Sequence, residues 1–183
     1  MVNIFEAAVE SIKSLTDDKD PKPLHVGEVM SCWVYLAGLE LAHTTVQSGI
    51  SMTTDSELLA LLEEDLALGT SQRNRLRAFM LQEGITLPES SEDLPRSDPN
   101  AVPLGARMPD GVLANELVLK IASLILQAAG SAIDSLRTDV ALLFIQFQAE
   151  KLMFAAKLKT AMQKRGWLNV PPAFVPPGAP TRE

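Results

Sequence analysis

The chain has one cysteine, Cys32, among 183 residues, so no disulfide can form within it. A lone thiol in an apolar helix reads as a small buried hydrophobe. A reactive nucleophile would need a neighbouring base. Histidine is nearly as scarce, with only His25 and His43. There is no glycine-rich phosphate loop, no Ser-His-Asp set and no cysteine cluster, which removes the common enzyme classes. Basic residues are outnumbered: 16 Lys and Arg against 23 Asp and Glu leave a formal charge of −7. Nucleic-acid binding needs a basic face, so that class is excluded too. Attraction to an anionic membrane surface is disfavoured. Met1–Ile12 carries Glu6 and Glu10 and lacks the basic start of a signal peptide. The most apolar stretch, Leu117–Ile133, includes Lys120, Gln127 and two serines. It lies at the short limit for a membrane span and reads as a buried helix. The expectation is a soluble, cytoplasmic protein without a membrane span.

What is present is helix. Hydrophobic residues make up 46% of the chain, enough for one globular domain. Ile4, Phe5, Ala8, Val9, Ile12 and Leu15 recur at helical spacing and predict a short amphipathic helix over 1–20. A four-helix bundle over 24–166 follows. The first long helix spans about Val26 to Gln47, with Gly49 and Ser51 interrupting it. Thr54-Asp55-Ser56-Glu57 reads as a capping box opening the second helix, in which the Thr54 hydroxyl takes orphan N–H groups and Glu57 reaches back. That helix stops at Gly84. The third runs from Gly111 to Leu136, and Asp139 restarts the chain into a fourth that ends near Arg165 and Gly166.

Residues 85–110 form a long break punctuated by five prolines. A helix of 25 residues is about 38 Å long. A hairpin partner starts where its predecessor ended, whereas a crossover must return along the whole bundle. About 25 extended residues reach roughly 80 Å, which suffices. Two hairpins joined by one long crossover is the connectivity of ferritin-like bundles. Residues 167–183 are too rich in proline for helix and predict an extended tail. Trp167, Val170, Phe174 and Val175 make that tail apolar enough to dock.

Polar residues interrupt the predicted core. On the first long helix the stripe Val29, Trp33, Leu36 continues as Glu40, His43, Gln47. Glu40 and His43 stand one turn apart, a Glu-x-x-His spacing that can hold one metal ion. On the fourth helix Glu150 sits between Phe147 and Phe154, and Glu116 stands near the start of the third. A di-metal bundle needs two Glu-x-x-His motifs and two further Glu residues. Here Met153 takes the place of the second histidine, so the six-ligand set is incomplete. Glu40, His43, Glu116 and Glu150 are therefore the metal candidates, for iron, manganese or zinc, in an alternative reading of the chain as a metal-binding or small-ligand-binding bundle. The plainer reading pairs them in a structural network with Arg73 or Lys120.

Three segments resemble a known family. Leu24–Trp33 (LHVGEVMSCW), Gln82–Pro88 (QEGITLP) and Gly166–Pro177 (GWLNVPPAFVPP) are similar to an uncharacterised ferritin-like family of spore-forming Gram-positive bacteria, related to spore coat protein F. The resemblance implies a ferritin-like bundle and spore-associated or stress roles, and no established reaction. Longer relatives carry two such units in tandem, which implies pairing between chains. The third helix supports this: Leu117, Val118, Leu119, Ile121, Leu124, Ile125, Leu126 and Ile133 spread round most of its circumference, and such a helix must be covered on every side. The leading expectation is a non-catalytic structural or interaction protein without a cofactor. It would be a homodimer through the third helix, with other coat-like proteins as further partners. The opening helix or the tail could provide the cover instead.

Overall fold

The computed structural model describes residues 22–172, 174, 176 and 177. The predicted helix over 1–20 and part of the tail lie outside the described residues. The others form four long helices: α1 (Val26–Ile50), α2 (Ser56–Gln82), α3 (Asp110–Asp134) and α4 (Thr138–Arg165). A single 3-10 turn, Pro99–Ala101, lies in the crossover, and the described residues contain no strand. α1 packs on α2 and α3, and α4 packs on α3 and α2. α1 and α4 are thus diagonal.

Local chemistry explains the boundaries. α1 runs through Gly49 rather than stopping before it, because Gly49 is buried against Leu62 and the helix continues to Ile50. The cap of α2 is Asp55, whose carboxylate accepts from the N–H groups of Glu57 and Leu58. Thr54 instead accepts from Arg107, and Glu57 pairs with Arg165, so the expected Thr54 capping box does not form. The charged Asp55 acceptor at the positive helix end displaces the weaker hydroxyl. α2 and α4 each end on a glycine at positive φ, Gly84 at 72° and Gly166 at 68°. A side chain there would meet the following backbone.

The crossover returns along the outer groove between α1 and α2. Ser91 and Asp93 touch the middle of α1, and Ser97 and Arg107 reach the α1–α2 turn. Inside, two apolar clusters fill the ends of the bundle. One gathers Val46, Leu62, Leu117, Ile121, Phe154 and Leu158. The other is built on Tyr35, Leu76, Phe144 and Phe147. Tyr35 stacks on Phe147 at 5.5 Å, and Phe144 meets both rings edge-on. Cys32 lies fully buried in this second cluster, where desolvation pushes its thiol up to about 12. It is an inert core residue, as its surroundings in the sequence suggest.

Trp167 and Leu168 pack on the first cluster, and Asn115 donates to the Trp167 carbonyl at 2.9 Å. Beyond them Val170 and Phe174 are exposed. Among the described residues of the tail, only Trp167 and Leu168 pack on the bundle, and Val175 lies outside the described residues.

Candidate functional site

Between the two apolar clusters the bundle turns polar. Asp65 on α2 is 2% exposed and lies among cations from two other helices. Lys151 of α4, itself buried, donates to Asp65 Oδ1 at 2.9 Å, and Lys120 of α3 donates to Oδ2. Burial alone would raise the Asp65 carboxyl, but the two ammonium groups outweigh it and hold it below the usual carboxylate range. Desolvation pulls Lys120 down from its ordinary value, partly offset by Asp65, and Lys151 adds a like charge.

A second string crosses beside it. Tyr35 donates to Gln72 Oε1 at 3.2 Å, and Gln72 Nε2 donates to Glu150 at 2.8 Å and to the Phe147 carbonyl at 3.1 Å. Arg75 closes the string on Glu150 at 2.6 Å, with its guanidinium over the Phe147 ring. A buried amide is tolerable here because both of its ends are bonded.

On the other flank of α2, Glu40 accepts from Arg73 at 3.2 Å and Arg77 at 3.1 Å. The Ser91 hydroxyl of the crossover donates to the Glu40 carbonyl. His43 Nε2 lies 2.7 Å from Asp93 Oδ1. Glu40, His43 and Gln47, expected to point at the core centre, thus mark the seam where α2 and the crossover meet α1.

The four candidate metal ligands are not brought together. Glu40 and Glu150 lie on opposite flanks of α2, each held by that helix's arginines. His43 of α1 is engaged by Asp93 of the crossover, and Glu116 is exposed on α3. Among the described residues no three His, Cys, Asp or Glu side chains converge as a metal-ligand set. The physical reason is that α2 presents Arg73 and Arg77 to Glu40 on one flank and Arg75 to Glu150 on the other, so each carboxylate is drawn to its own cations.

A third cluster ties the opposite end. Glu28, buried on α1, accepts from the N–H groups of Leu136 at 2.9 Å and Arg137 at 2.8 Å. Its other oxygen accepts from His25 N, while His25 Nδ1 accepts from Gly27 and Glu28. A Cβ at Gly27 would come within 2.8 Å of the His25 ring, so this cap needs glycine there. Arg137 grips Glu83 with two bonds of 2.8 Å and also holds Asp139. The Leu24–Trp33 and Gln82–Pro88 segments meet at this cluster. Sequence reasoning missed Glu28, Arg137 and Lys151 and gave Asp65 no precedence over its acidic neighbours. A lysine between Phe147 and Phe154 was the one legible signal.

The role of Glu150 can be measured. Glu150→Ala should cost about 1–2 kcal/mol, since it frees Gln72 and Arg75 at a site that water partly reaches. Glu150→Gln should cost less than about 1 kcal/mol. Urea unfolding of the two variants checks the order, and equal losses would contradict it.

The fold and these clusters define an all-α four-helix bundle protein whose interior carboxylates face its own lysines and arginines. The chain belongs to the DUF3231 family, proteins of unknown function, whose family model matches residues 12–179. It is similar to the uncharacterised protein YvdQ of Bacillus subtilis, 27% identical over 158 residues that cover 86% of this chain and 93% of YvdQ. Among solved structures it is similar to a Bacillus halodurans protein provisionally assigned to the spore coat. That match has a TM-score of 0.82 and 30% identity, and covers 84% of this chain and 97% of the other. A two-domain Anabaena variabilis protein with DJ-1/ThiJ/PfpI-like and ferritin-like domains matches at a TM-score of 0.61 and 14% identity. It covers 85% of this chain and 40% of that one, a likeness of fold alone. The resemblance to a family of spore-forming Gram-positive bacteria is thereby borne out.

Proposed function

We propose that this protein is a non-catalytic structural module, a ferritin-like bundle that self-associates through α3 and serves in a spore-coat assembly. It would act in the cytoplasm of the sporulating cell or on the spore, with other coat-like proteins as further partners. One observation carries the reading. Val112, Leu119, Leu126 and Ile133 follow one another at seven-residue steps along α3 and are 46%, 69%, 72% and 82% exposed. An ideal helix drifts about 20° per heptad, so this stripe winds gently round the outer face, the pattern of a helix wrapping left-handed on a partner. The small residues Ala122, Ser123 and Gly130 lie exposed beside it and permit close approach. By length and composition α3 could also cross a membrane, at a mean hydropathy of 1.6. Its buried face instead packs on α4 and α1 and carries Lys120 to Asp65. A second copy of the chain is the occupant that best suits the outward stripe. The similarity to the Bacillus halodurans protein supports the spore-coat assignment.

Light scattering should give twice the 19.8 kDa of one chain. Leu119→Arg combined with Leu126→Arg should give a monomer with unchanged helix content. A monomeric parent at micromolar concentration would overturn the proposal. No rise in melting temperature is expected with one equivalent of iron, manganese or zinc. A rise of several degrees, lost in both Glu150→Gln and His43→Ala, would favour the metal-binding alternative.

A further inference from the structure

The Asp65 triad contains one carboxylate and two ammonium groups, so the triad by itself carries one net positive charge. Buried charge is costly unless paired, and the imbalance calls for a further anion. Lys120 borders two spaces. On one side is a small, partly open void shared with Asp65, Lys151 and His43, and His43 is already engaged with Asp93. On the other is a half-open cleft of about 320 Å³ between the second half of α1 and the first half of α3. Val46, Leu62, Leu113 and Leu117 give this cleft apolar walls, and the mostly buried Lys120 also lines it. A concave apolar space of roughly 300 Å³ or more with one placed charge is the form of a small-molecule site.

We infer that the cleft binds a small amphiphilic monoanion, a medium-chain monocarboxylate in chemical class. Its carboxylate would take a free N–H of Lys120 and complete the charge balance of the triad. Its hydrocarbon tail would lie on Val46, Leu62 and Leu117. Glu116 borders the cleft one turn before Lys120, and makes no ion pair among the described residues. One ammonium group and one carboxylate thus line the cleft, so each charge on a ligand beyond the one paired with Lys120 would meet net repulsion. The site is separate from the α3 stripe, because Lys120 and Leu117 lie on the inner side of that helix and Leu119 and Leu126 on the outer.

Octanoate titrated into the full-length protein and followed by calorimetry is the direct test. One site per chain is expected, and octanol should bind about tenfold more weakly, the loss that follows from one charge-assisted hydrogen bond. Lys120→Met should lose octanoate affinity by about the same factor while remaining folded, because Asp65 keeps Lys151 as a one-to-one partner. Ser48→Phe, which fills the cleft from α1, should abolish binding. Leu119→Arg with Leu126→Arg should leave binding unchanged, which separates this site from self-association. The inference is overturned if octanoate fails to bind below millimolar concentration, as it would if another part of the chain fills the cleft. It is equally overturned if octanol binds as tightly, or if Lys120→Met or Ser48→Phe binds octanoate with the parent's affinity.

Discussion

Asp65→Ala is expected to cost about 3–5 kcal/mol, the usual loss when one partner leaves a buried ion pair. The variant strands Lys120 and Lys151 as two neighbouring cations in the core without a counter-charge. Replacing all three groups should behave in the opposite way. Asp65→Leu with Lys120→Met and Lys151→Met removes every buried charge and keeps the volume, so it should match or exceed the parent. Urea unfolding followed by circular dichroism at one fixed protein concentration measures both, since a self-associating chain gains stability by mass action. A loss of less than about 1 kcal/mol for Asp65→Ala would mean that the triad does not hold the three helices together. The carboxyl of Asp65 is held low, so its contribution is complete above its unfolded value of about 3.9 and fades as pH falls through the folded value. The parent should therefore lose stability below about pH 4, and Asp65→Ala should lose less there.

Glu28→Ala should have the next largest effect, about 2–4 kcal/mol, because it deprives two N–H groups at the start of α4 and one at the start of α1 of their acceptor. The N-cap Arg137 supplies no side-chain cap to α4, and Glu28 instead fixes the turn that leads into it through the N–H groups of Leu136 and Arg137. Glu28→Gln keeps one oxygen for Leu136 and Arg137 but turns an amide towards the His25 N–H. It should cost about half as much. Burial pushes the Glu28 carboxyl up, and the bonds from Arg137 and His25, the nearby His25 charge and the bond from Leu136 together bring it below its ordinary value. Its stabilisation is thus present above an unfolded value of about 4.3 and is lost on acidification below it. Hydrogen exchange supplies the residue-level check. Protection at the α3–α4 turn should collapse in Glu28→Ala while the far end around Leu113 and Met162 stays protected. Uniform loss throughout would show that Glu28 stabilises the whole bundle rather than one of its ends.

Most of the helix boundaries were legible because they rest on local chemistry. Gly84 and Gly166 end their helices through backbone conformation, and prolines at 88, 95, 99, 103 and 109 keep the crossover out of helix. Length and helical rise showed that this segment is long enough to run the full bundle. The apolar excess of α3 was equally readable, since composition around a helix is a property of sequence and period. Errors arose at the caps. There Asp55 and Thr54 offer similar chemistry one residue apart, and only Arg107 and Arg165 decide between them.

Sequence by itself therefore determined four helices, their order, the long return and the apolar excess of α3. Each of these follows from interactions between near neighbours or from a fixed helical period. The tertiary structure alone decided which charges meet. Glu40 and Glu150 occupy comparable inward positions on their helices, yet α2 stands between them and presents arginines to both. Glu28 holds a turn more than a hundred residues later in the chain. Asp65, one acid in a run of three, faces inward because its turn of α2 lies opposite Lys120 and Lys151. Charge pairing acts through space at a few ångströms and carries no period along the chain, so it appears only when the helices are packed.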